Sequence, residues 1–423
     1  MPFSSLGFSS ALLPAFLQAI ADKAYLTPTA IQTAAIPAIL QGRDVVGSAQ
    51  TGSGKTAAFA LPMLQQLAEA PATASRRVRA LVLVPTRELA AQVGEAIVSL
   101  AKYLPQRVKV AVVFGGVSIN PQMMNLRSGA DIVVATPGRL LDLIDHNALS
   151  IAAVSTLVLD EADRLLDLGF GEELARILGL LPAQRQNLFF SATFPPAIET
   201  LAQSMLHNPL RIEVQASVQD ALEITQRAVE VDASRRTQLL RHLVQTEKWE
   251  RVLVFVATKH AAEIVADKLR KAGIEAEPFH GELSQGKRIQ VLQDFKIRAV
   301  QVVVATDVAA RGIDIARLPV VVNYDLPRSA LDYTHRIGRT GRAGKSGVAL
   351  SFVSADSEAH FRLIEKRQRI SVPREQVAGF EPVETMVPNP ADPLSNGGIK
   401  GKRPSKKDKL REAAARGEAL PKD

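Results

Sequence analysis

The sequence predicts an α/β fold with two tandem domains, each a mostly parallel sheet flanked by helices. Residues 79–93 resemble residues 251–265, and residues 132–136 resemble residues 302–306, at offsets of 172 and 170. Each stretch is an apolar run followed by threonine and a polar turn, which is typical of a parallel strand buried on both faces. Such valine-rich strands are common to this fold class, which is an alternative explanation of the likeness. The matched order and spacing favour two related domains.

Length and composition agree with this class. A chain of 423 residues exceeds one ordinary core, and 47% hydrophobic residues with only 5% aromatics suit an α/β protein. The absence of cysteine excludes disulfides and thiolate metal sites and suits a reducing compartment. No apolar run approaches the roughly 18 residues that span a bilayer, and the N-terminus lacks the basic stretch and cleavage signal of a secretory leader. We expect a cytoplasmic protein without either segment. The net charge of +8 permits a polyanionic partner without requiring one.

Chain breakers and composition divide the sequence into four expected segments. These are a first domain, a linker, a second domain and a flexible basic tail, at residues 1–208, 209–217, 218–368 and 369–423. The tail is rich in proline and contains a stretch, residues 400–411, with seven Lys or Arg against one Asp. Such a tail either holds a polyanion electrostatically or only keeps the protein soluble.

A glycine-rich segment at residues 50–56 lies between a predicted strand and a predicted helix. Gly52 and Gly54 allow the backbone to turn tightly and to point its amide hydrogens at phosphate oxygens. Lys55 is expected to reach the β- and γ-phosphates, and Thr56 to offer its hydroxyl to Mg²⁺. Only the first domain has such a loop, so we expect the second domain to complete the site across a cleft.

Acidic residues follow the predicted strand at 155–159. Carboxylates at the end of such a strand lie where open α/β sheets bind ligands. Asp160 is the candidate Mg²⁺ ligand, and Glu161 is the candidate base that orients or deprotonates the attacking water. The alternative is an acidic helix N-terminus without catalytic function.

A third motif, residues 335–342, contains three arginines at a spacing of three, separated by glycines. This pattern does not suit a core helix and favours a segment that faces phosphates. Arg339 and Arg342 are expected to reach the γ-phosphate from the second domain, and such an arginine finger is typically worth about 10³–10⁵ in rate. The alternative is an exposed basic loop that contacts only nucleic acid.

Together with further motifs, these segments occur in an order that resembles the DEAD-box RNA helicases over residues 3–368. The resemblance rests on Phe3 and on residues 25–32, 49–56, 85–89, 115–116, 136–139, 160–163, 191–193, 254–256, 285–288, 306–314 and 335–342. Ala49, where strict phosphate loops have glycine, is usual in this family. Ala24 and Ala30 depart from the family's glycine and proline. Residues 372–375 and 379–382 further resemble the bacterial RhlE-type subgroup.

The resemblance implies two RecA-like domains and an RNA-dependent ATPase that uses ATP and Mg²⁺. Such an enzyme separates short RNA duplexes locally or remodels RNA–protein complexes. It also implies a nucleotide site, in which Gln32 reads adenine and Phe3 stacks on the base. The implied nucleotide contacts are Phe3, Tyr25, Thr27, Gln32, Ala49, Gln50, Thr51, Gly52, Ser53, Gly54, Lys55, Thr56, Gly312 and Asp314.

Two more sets of residues follow from the resemblance. One set would couple the nucleotide state to domain closure: Asp163, Ser191, Thr193 and His335. The other would hold the RNA backbone without reading its sequence: Pro85, Thr86, Arg87, Gly116, Thr136, Pro137, Arg139, Gln285, Arg288, Thr306 and Arg311. The core is expected to be monomeric, with ribosomal or RNA-decay proteins as possible partners.

Two other functions stay open at this point. A DNA-directed helicase of the same architecture would share these motifs. A non-catalytic RNA clamp would use ATP only to hold strands, although a competent residue occupies every catalytic position and so disfavours it.

Overall fold

The computed structural model describes residues 2–49, 52–71, 76–214, 224–310, 318–341 and 346–383. Within these ranges the chain forms two domains, each built on a seven-stranded sheet whose paired strands are all parallel. Helices flank both sheets, so the predicted fold class is confirmed. No helix in the described part of the chain is long and apolar enough to cross a membrane.

The first domain alternates strands and helices. Its strands are β1 (Val45–Ser48), β2 (Ala80–Leu83), β3 (Val110–Val113), β4 (Ile132–Ala135), β5 (Thr156–Leu159), β6 (Gln186–Ser191) and β7 (Leu210–Glu213). Its helices are α1 (Leu13–Asp22), α2 (Ala30–Leu40), α3 (Lys55–Glu69), α4 (Arg87–Leu100), α5 (Asn120–Leu126), α6 (Pro137–Asp145), α7 (Ala162–Asp167), α8 (Gly171–Leu180) and α9 (Pro196–Met205).

The second domain repeats this alternation. Its strands are β8 (Ile224–Glu230), β9 (Val252–Val256), β10 (Ala276–Phe279), β11 (Val302–Thr306), β12 (Val320–Asn323), β13 (Gly347–Val353) and β14 (Arg374–Glu375). Its helices are α10 (Arg236–Thr246), α11 (Lys259–Arg270), α12 (Gln285–Lys296), α13 (Asp307–Ala310), α14 (Ala330–Ile337) and α15 (Glu358–Gln368).

The strand orders of the two sheets correspond one to one. The first sheet is ordered β3-β4-β2-β5-β6-β1-β7, and the second is ordered β10-β11-β9-β12-β13-β8-β14. The stretches that resemble each other in sequence therefore take equivalent places, β2 with β9 and β4 with β11. The likeness reflects two copies of one architecture.

The central strands are covered on both faces, which explains their continuous apolar sequences. In β2, Val82 belongs to one core cluster of the first domain, whereas Leu81 and Leu83 belong to the cluster on the opposite face. All three side chains are fully buried. Alternate residues of a strand point to opposite faces, so a strand buried on both sides needs apolar residues at every position.

Thr86 after β2 and Thr258 after β9 cap the helices that follow these strands. The Thr86 hydroxyl accepts a hydrogen bond from the Leu89 amide at 3.3 Å at the start of α4. Thr258 does the same for Ala261 at 3.1 Å at the start of α11. These caps satisfy amides that have no partner within their helices, and they fix the turn at the carboxyl end of each strand.

Two predicted boundaries need correction. The segment predicted as a linker at 209–217 contributes β7, which pairs with β1 at the edge of the first sheet. The predicted tail at 369–423 begins too early, because β14 pairs with β8 and so extends the second sheet. Val377 and Phe380 pack on the second core, and Val372 is buried. The rest of the tail, from residue 384, lies outside the described residues.

Candidate active site and nucleic-acid interface

The phosphate loop leads into helix α3. Gly54 immediately precedes this helix and has φ of +93°, and a Cβ atom there would lie 2.5 Å from Nε2 of Gln32. Lys55 is buried, and its ammonium donates to the Ala49 carbonyl at 2.9 Å. The amides at the start of α3 and its dipole favour a phosphate at this place. Gln50 and Thr51 lie outside the described residues.

Gln32 links the start of α2 to this loop. Its side-chain oxygen accepts from the Thr29 amide at 3.0 Å, and its Nε2 donates to the Gly54 carbonyl at 3.1 Å. Gln32 is therefore held in place by the same loop that is expected to bind phosphates. A purine bound beside the loop would lie next to a fixed amide group.

The aromatic residues near this site differ in exposure. Phe3 is only 4% exposed and belongs to a core cluster of the first domain, so its ring has no free face on which a base can stack. This corrects the expected stacking role of Phe3. Tyr25 is 41% exposed and Thr27 is exposed, so both are accessible to a ligand.

Asp160 directly follows β5 and is 3% exposed. Burial raises the pKa of its carboxyl group to about 6, whereas the positive charge of Lys55 acts in the opposite direction. Among the described residues there is no cluster of three or more His, Cys, Asp or Glu side chains able to hold a metal. One carboxylate and the hydroxyl of Thr56 nevertheless suit Mg²⁺, which keeps several waters and binds substrate phosphates.

Glu161 immediately precedes helix α7 and takes a left-handed conformation, with φ of +52°. Its side chain is 4% exposed, and its Oε2 accepts a hydrogen bond from Nη1 of Arg164 at 3.0 Å. The expected base is thus buried and paired with a cation that the sequence analysis did not select. Arg164 follows immediately after the recognised motif, but nothing in its position along the chain indicates which carboxylate it meets.

The four predicted coupling residues come together. Asp163 accepts at Oδ2 from the Thr193 amide at 3.1 Å and from the Thr193 hydroxyl at 2.8 Å. The Ser191 hydroxyl accepts from the Asp163 amide at 3.2 Å and donates to the Thr193 carbonyl at 2.8 Å. Burial lowers the pKa of His335 to about 4, helped by the charge of Arg164 and opposed by that of Asp163. His335 is therefore close to the first domain and neutral at pH 7.

The second domain faces this segment with several charged side chains. A small pocket between the domains is lined by Arg164 together with Phe255, Asp307, His335, Arg336 and Arg339. Arg336 is only 3% exposed and makes two hydrogen bonds of 2.6 Å to the Asp307 carboxylate, which neutralises it. Arg339, the expected arginine finger, also lines this pocket. Arg342, Gly312 and Asp314 lie outside the described residues.

The predicted RNA contacts of the first domain cluster after β2, β3 and β4, with Pro85, Thr136 and Pro137 buried. Arg87 lies against Gly116, which has φ of +73°, and a Cβ there would lie 2.3 Å from Nη2 of Arg87. Arg139 is 7% exposed and donates to the Val117 carbonyl at 2.7 Å. Its Nε lies 3.4 Å from Oδ2 of Asp142, and its Nη1 is buried without a hydrogen-bond partner among the described residues.

The second domain brings fewer of these residues to the surface. Gln285 begins α12 and has a buried side-chain oxygen without a partner, and Thr306 ends β11, half-buried. Arg288 is 4% exposed, and its Nη2 lies 2.9 Å from Oε1 of Glu88 in the first domain. Sequence reasoning placed Arg288 on RNA and missed Glu88, although that residue lies within the 85–89 motif. Arg311 lies outside the described residues.

Comparison with known proteins agrees with this geometry. The profile of the DEAD/DEAH box helicase family matches residues 29–201, and that of the helicase conserved C-terminal domain matches residues 235–344. The ATP-dependent RNA helicase DeaD of Mycobacterium tuberculosis is 44% identical over 384 residues, which cover 90% of this chain and 67% of that protein. The DEAD-box ATP-dependent RNA helicase CshA of Bacillus cereus is 40% identical over 372 residues, covering 88% of this chain and 69% of that protein.

A solved structure extends the comparison to the arrangement of the fold. S. cerevisiae Dbp5, bound to RNA and ADP BeF3, superposes with a TM-score of 0.77 at 32% identity. The match covers 89% of this chain and 95% of that one. Fold, motif geometry and relatives agree, and the chain belongs to the DEAD-box family of ATP-dependent RNA helicases.

Proposed function

We propose that this chain hydrolyses ATP in an RNA-stimulated manner and uses the cycle to separate short RNA duplexes or to remodel RNA–protein complexes. The observation that carries the proposal is that both halves of the site meet at one interface. Asp160, Glu161 and Asp163 lie in the first domain, and His335 and Arg339 approach them from the second.

In this proposal ATP binds at the start of α3. Gln32 contacts the adenine edge, Tyr25 offers an accessible ring, and the loop amides with Lys55 hold the phosphates. Bound Mg²⁺, held by Thr56 and Asp160, would neutralise charge on the β- and γ-phosphates. The residues that supply these contacts belong to one domain, so nucleotide binding does not by itself require closure.

Hydrolysis does require closure in this account. Glu161 accepts a proton from the attacking water, and Arg339, together with Arg342, stabilises charge on the transferred phosphoryl group. Asp163, Ser191, Thr193 and His335 transmit the nucleotide state to the domain interface. Because RNA contacts both domains, its binding favours the closed state and raises the rate of hydrolysis.

RNA is proposed to bind through its backbone. The donors of Arg87 and Arg139 and the strand ends that carry Thr136 and Thr306 contact phosphates and 2′-hydroxyls, so recognition is independent of sequence. Bending one strand separates a few base pairs at a cost of about 1.4 kcal/mol per stacked step, by analogy with DNA. Local strand separation without long-range translocation follows.

Arg288 takes a different role in this proposal from the one expected for it. A guanidinium that is 4% exposed and paired with Glu88 offers little surface to a phosphate. We assign Arg288 to the contact between the domains, beside the RNA site, and retain Gln285 as a direct RNA contact.

Several finer assignments stay proposals. We propose cytoplasmic localisation, a monomeric core and contacts with ribosomal or RNA-decay proteins. The RhlE-type subgroup rests only on residues 372–375 and 379–382, whereas the relatives reported above are named DeaD and CshA.

Strand separation with matched substrates tests the function. The full chain is incubated with ATP and a short RNA duplex or a DNA duplex of the same sequence, and ATP hydrolysis is recorded in parallel. We expect separation and stimulated hydrolysis with RNA only. Equal activity on both duplexes would indicate a general or DNA-directed helicase, and binding without hydrolysis would indicate a clamp.

A further inference from the structure

Among the described residues, the side chain of Arg164 pairs with the carboxylate of Glu161, which is expected to act as the base. Nη1 of Arg164 lies 3.0 Å from Oε2 of Glu161, and both side chains are 5% exposed. The contact uses one carboxylate oxygen and leaves Oε1 to accept a hydrogen bond from a water. An ion pair so deeply buried is held more firmly than one at the surface, where solvent competes for both partners.

Both the backbone and the side chain of Glu161 have to be held in place by neighbouring groups. Its left-handed conformation, with φ of +52°, is uncommon for a residue with a Cβ atom and persists only where neighbouring structure holds it. A glutamate carboxylate also turns about three side-chain bonds. A base must lie within hydrogen-bond distance of the proton it removes, and active sites commonly orient the base through a third group.

We propose that Arg164 is a positioning residue, which orients the carboxylate of Glu161 toward the attacking water when the second domain docks. Arg164 is suited to this because it contacts Glu161 on one side and lines the interdomain pocket with His335 and Arg339 on the other. Docking of the second domain therefore encloses the residue that holds the base. The inference rests on the proposed role of Glu161 in hydrolysis.

The charged groups next to Arg164 and Glu161 are bonded to other partners. Arg336, which lines the same pocket, is engaged by the Asp307 carboxylate. Asp163 is engaged by Thr193, and its Oδ1 accepts from the Arg164 backbone amide at 3.1 Å. The Arg164 guanidinium thus pairs with Glu161, whereas the carboxylates of Asp163 and Asp307 are bonded to other groups.

Arg164→Gln tests the inference, with Arg164→Lys as the conservative variant. We measure kcat and KM for ATP at saturating RNA in the full chain. We expect Arg164→Gln to lower kcat by about 10- to 100-fold, part of the 10²- to 10⁴-fold that a positioned base contributes, with KM changed less than about twofold. Arg164→Lys keeps the charge and should recover part of kcat. Arg176→Gln, which breaks an exposed arginine–aspartate pair, is the matched control and should match wild type.

Arg164→Gln combined with Glu161→Gln separates the role of Glu161 as the base from the role of Arg164 in positioning it. Because Arg164 acts through Glu161, we expect the double variant to have the same single-turnover rate as Glu161→Gln alone. Undiminished turnover in Glu161→Gln alone would overturn the base assignment. Loss of turnover in Glu161→Gln with unchanged kcat in both Arg164 variants would overturn only the positioning role. If Arg164→Gln does not fold, the test uses Arg164→Lys alone. A wild-type kcat in Arg164→Lys would then contradict the positioning role, because that role depends on the geometry of the guanidinium group.

Discussion

Glu88 in the first domain and Arg288 in the second form an ion pair, with 2.9 Å between Oε1 and Nη2, and each side chain is only 5% exposed. The Arg288 guanidinium also lies over the Phe279 ring, at 5.0 Å from its centroid. Glu88 belongs to α4, directly after Thr86 and Arg87, which we assign to RNA. The pair therefore joins the two halves of the proposed RNA site, and it exists only while the domains are docked.

Arg288→Met should weaken the closed state. Removing one partner of a buried pair leaves the other charge without compensation, which typically costs about 3–5 kcal/mol. Because the pair spans two domains, the cost should appear in docking rather than in the melting temperature. We expect at least a 10-fold loss of RNA affinity with a non-hydrolysable ATP analogue, and lower energy transfer between dyes placed on the two domains. Arg298→Met removes an exposed pair with Glu250 and should change neither quantity. Unchanged energy transfer in Arg288→Met would contradict the docking role.

Asp160→Asn should stabilise the nucleotide-free protein while abolishing ATP hydrolysis. The folded pKa of about 6 lies above the ordinary value of 3.8, so the folded state binds the proton more tightly than the unfolded state. Stability is therefore lost as pH rises from about 4 through 6, and the ionised carboxylate costs up to about 3 kcal/mol at pH 7.5. Asparagine avoids this cost and keeps the side-chain oxygen that accepts a hydrogen bond from the Glu161 amide.

Thermal melting at two pH values checks this prediction. At pH 7.5 the melting temperature of Asp160→Asn should exceed that of wild type by several degrees, since about 1 kcal/mol shifts a domain of this size by roughly 2–4 °C. At pH 5, where Asp160 is largely protonated, the difference should shrink. Asp267→Asn, at an exposed carboxylate on α11, should show no such gain. A difference that does not depend on pH would be inconsistent with a buried, ionised Asp160.

Gly116→Ala should weaken RNA binding. The new Cβ would lie 2.3 Å from Nη2 of Arg87, and the positive φ of +73° is unfavourable for alanine. Arg87 must then move from its place beside the predicted RNA backbone. We expect about a 10-fold rise in the Kd for single-stranded RNA, measured by fluorescence anisotropy, with unchanged ATP binding. Gly115→Ala is the matched control, because a Cβ at Gly115 meets nothing within 4 Å. Equal effects of the two substitutions would count against the assignment of Arg87.

Truncation should separate the folded end of the second domain from the tail. Arg374 binds the carboxylates of Glu358 and Glu365 on α15 and lies over the Phe361 ring at 4.7 Å. Ending the chain after residue 369 removes these contacts and β14, so the melting temperature of the second domain should fall. Ending it after residue 383 should leave melting and basal hydrolysis intact while lowering RNA affinity and its salt dependence. Equal melting of both truncated chains would show that residues 370–383 do not support the domain, and an unchanged salt slope would leave the tail a solubilising role.

The fold was predictable where the sequence pattern is strong. Strands β2, β4, β9 and β11 are apolar at nearly every position because both faces are covered, and the motifs follow strands whose ends converge. Strands β7 and β14, each at an edge of its sheet, were not predicted because they lack such a continuous apolar pattern. In β7 only Ile212 is buried, and β14 has two residues, so neither has a clear period.

The sequence indicates which residue types to expect at the site, but not which side chains pair with one another. The motif order indicated Asp160, Glu161 and Arg339, because phosphate and metal chemistry needs those residue types at strand ends. The ion pair of Glu161 with Arg164 is a local contact at the start of α7, and it depends on the left-handed turn at Glu161. The ion pair of Glu88 with Arg288 depends on how the two domains dock. Phe3 was assigned to the base, yet apolar packing at the start of the chain buries its ring.

The central claim is that ATP turnover depends on RNA because closure completes the site. The most direct measurement is the steady-state rate of ATP hydrolysis by the full chain with and without single-stranded RNA, alongside Glu161→Gln. We predict slow turnover without RNA, a large increase on adding RNA, and almost no turnover in Glu161→Gln under either condition. A wild-type rate that is the same with and without RNA would contradict it.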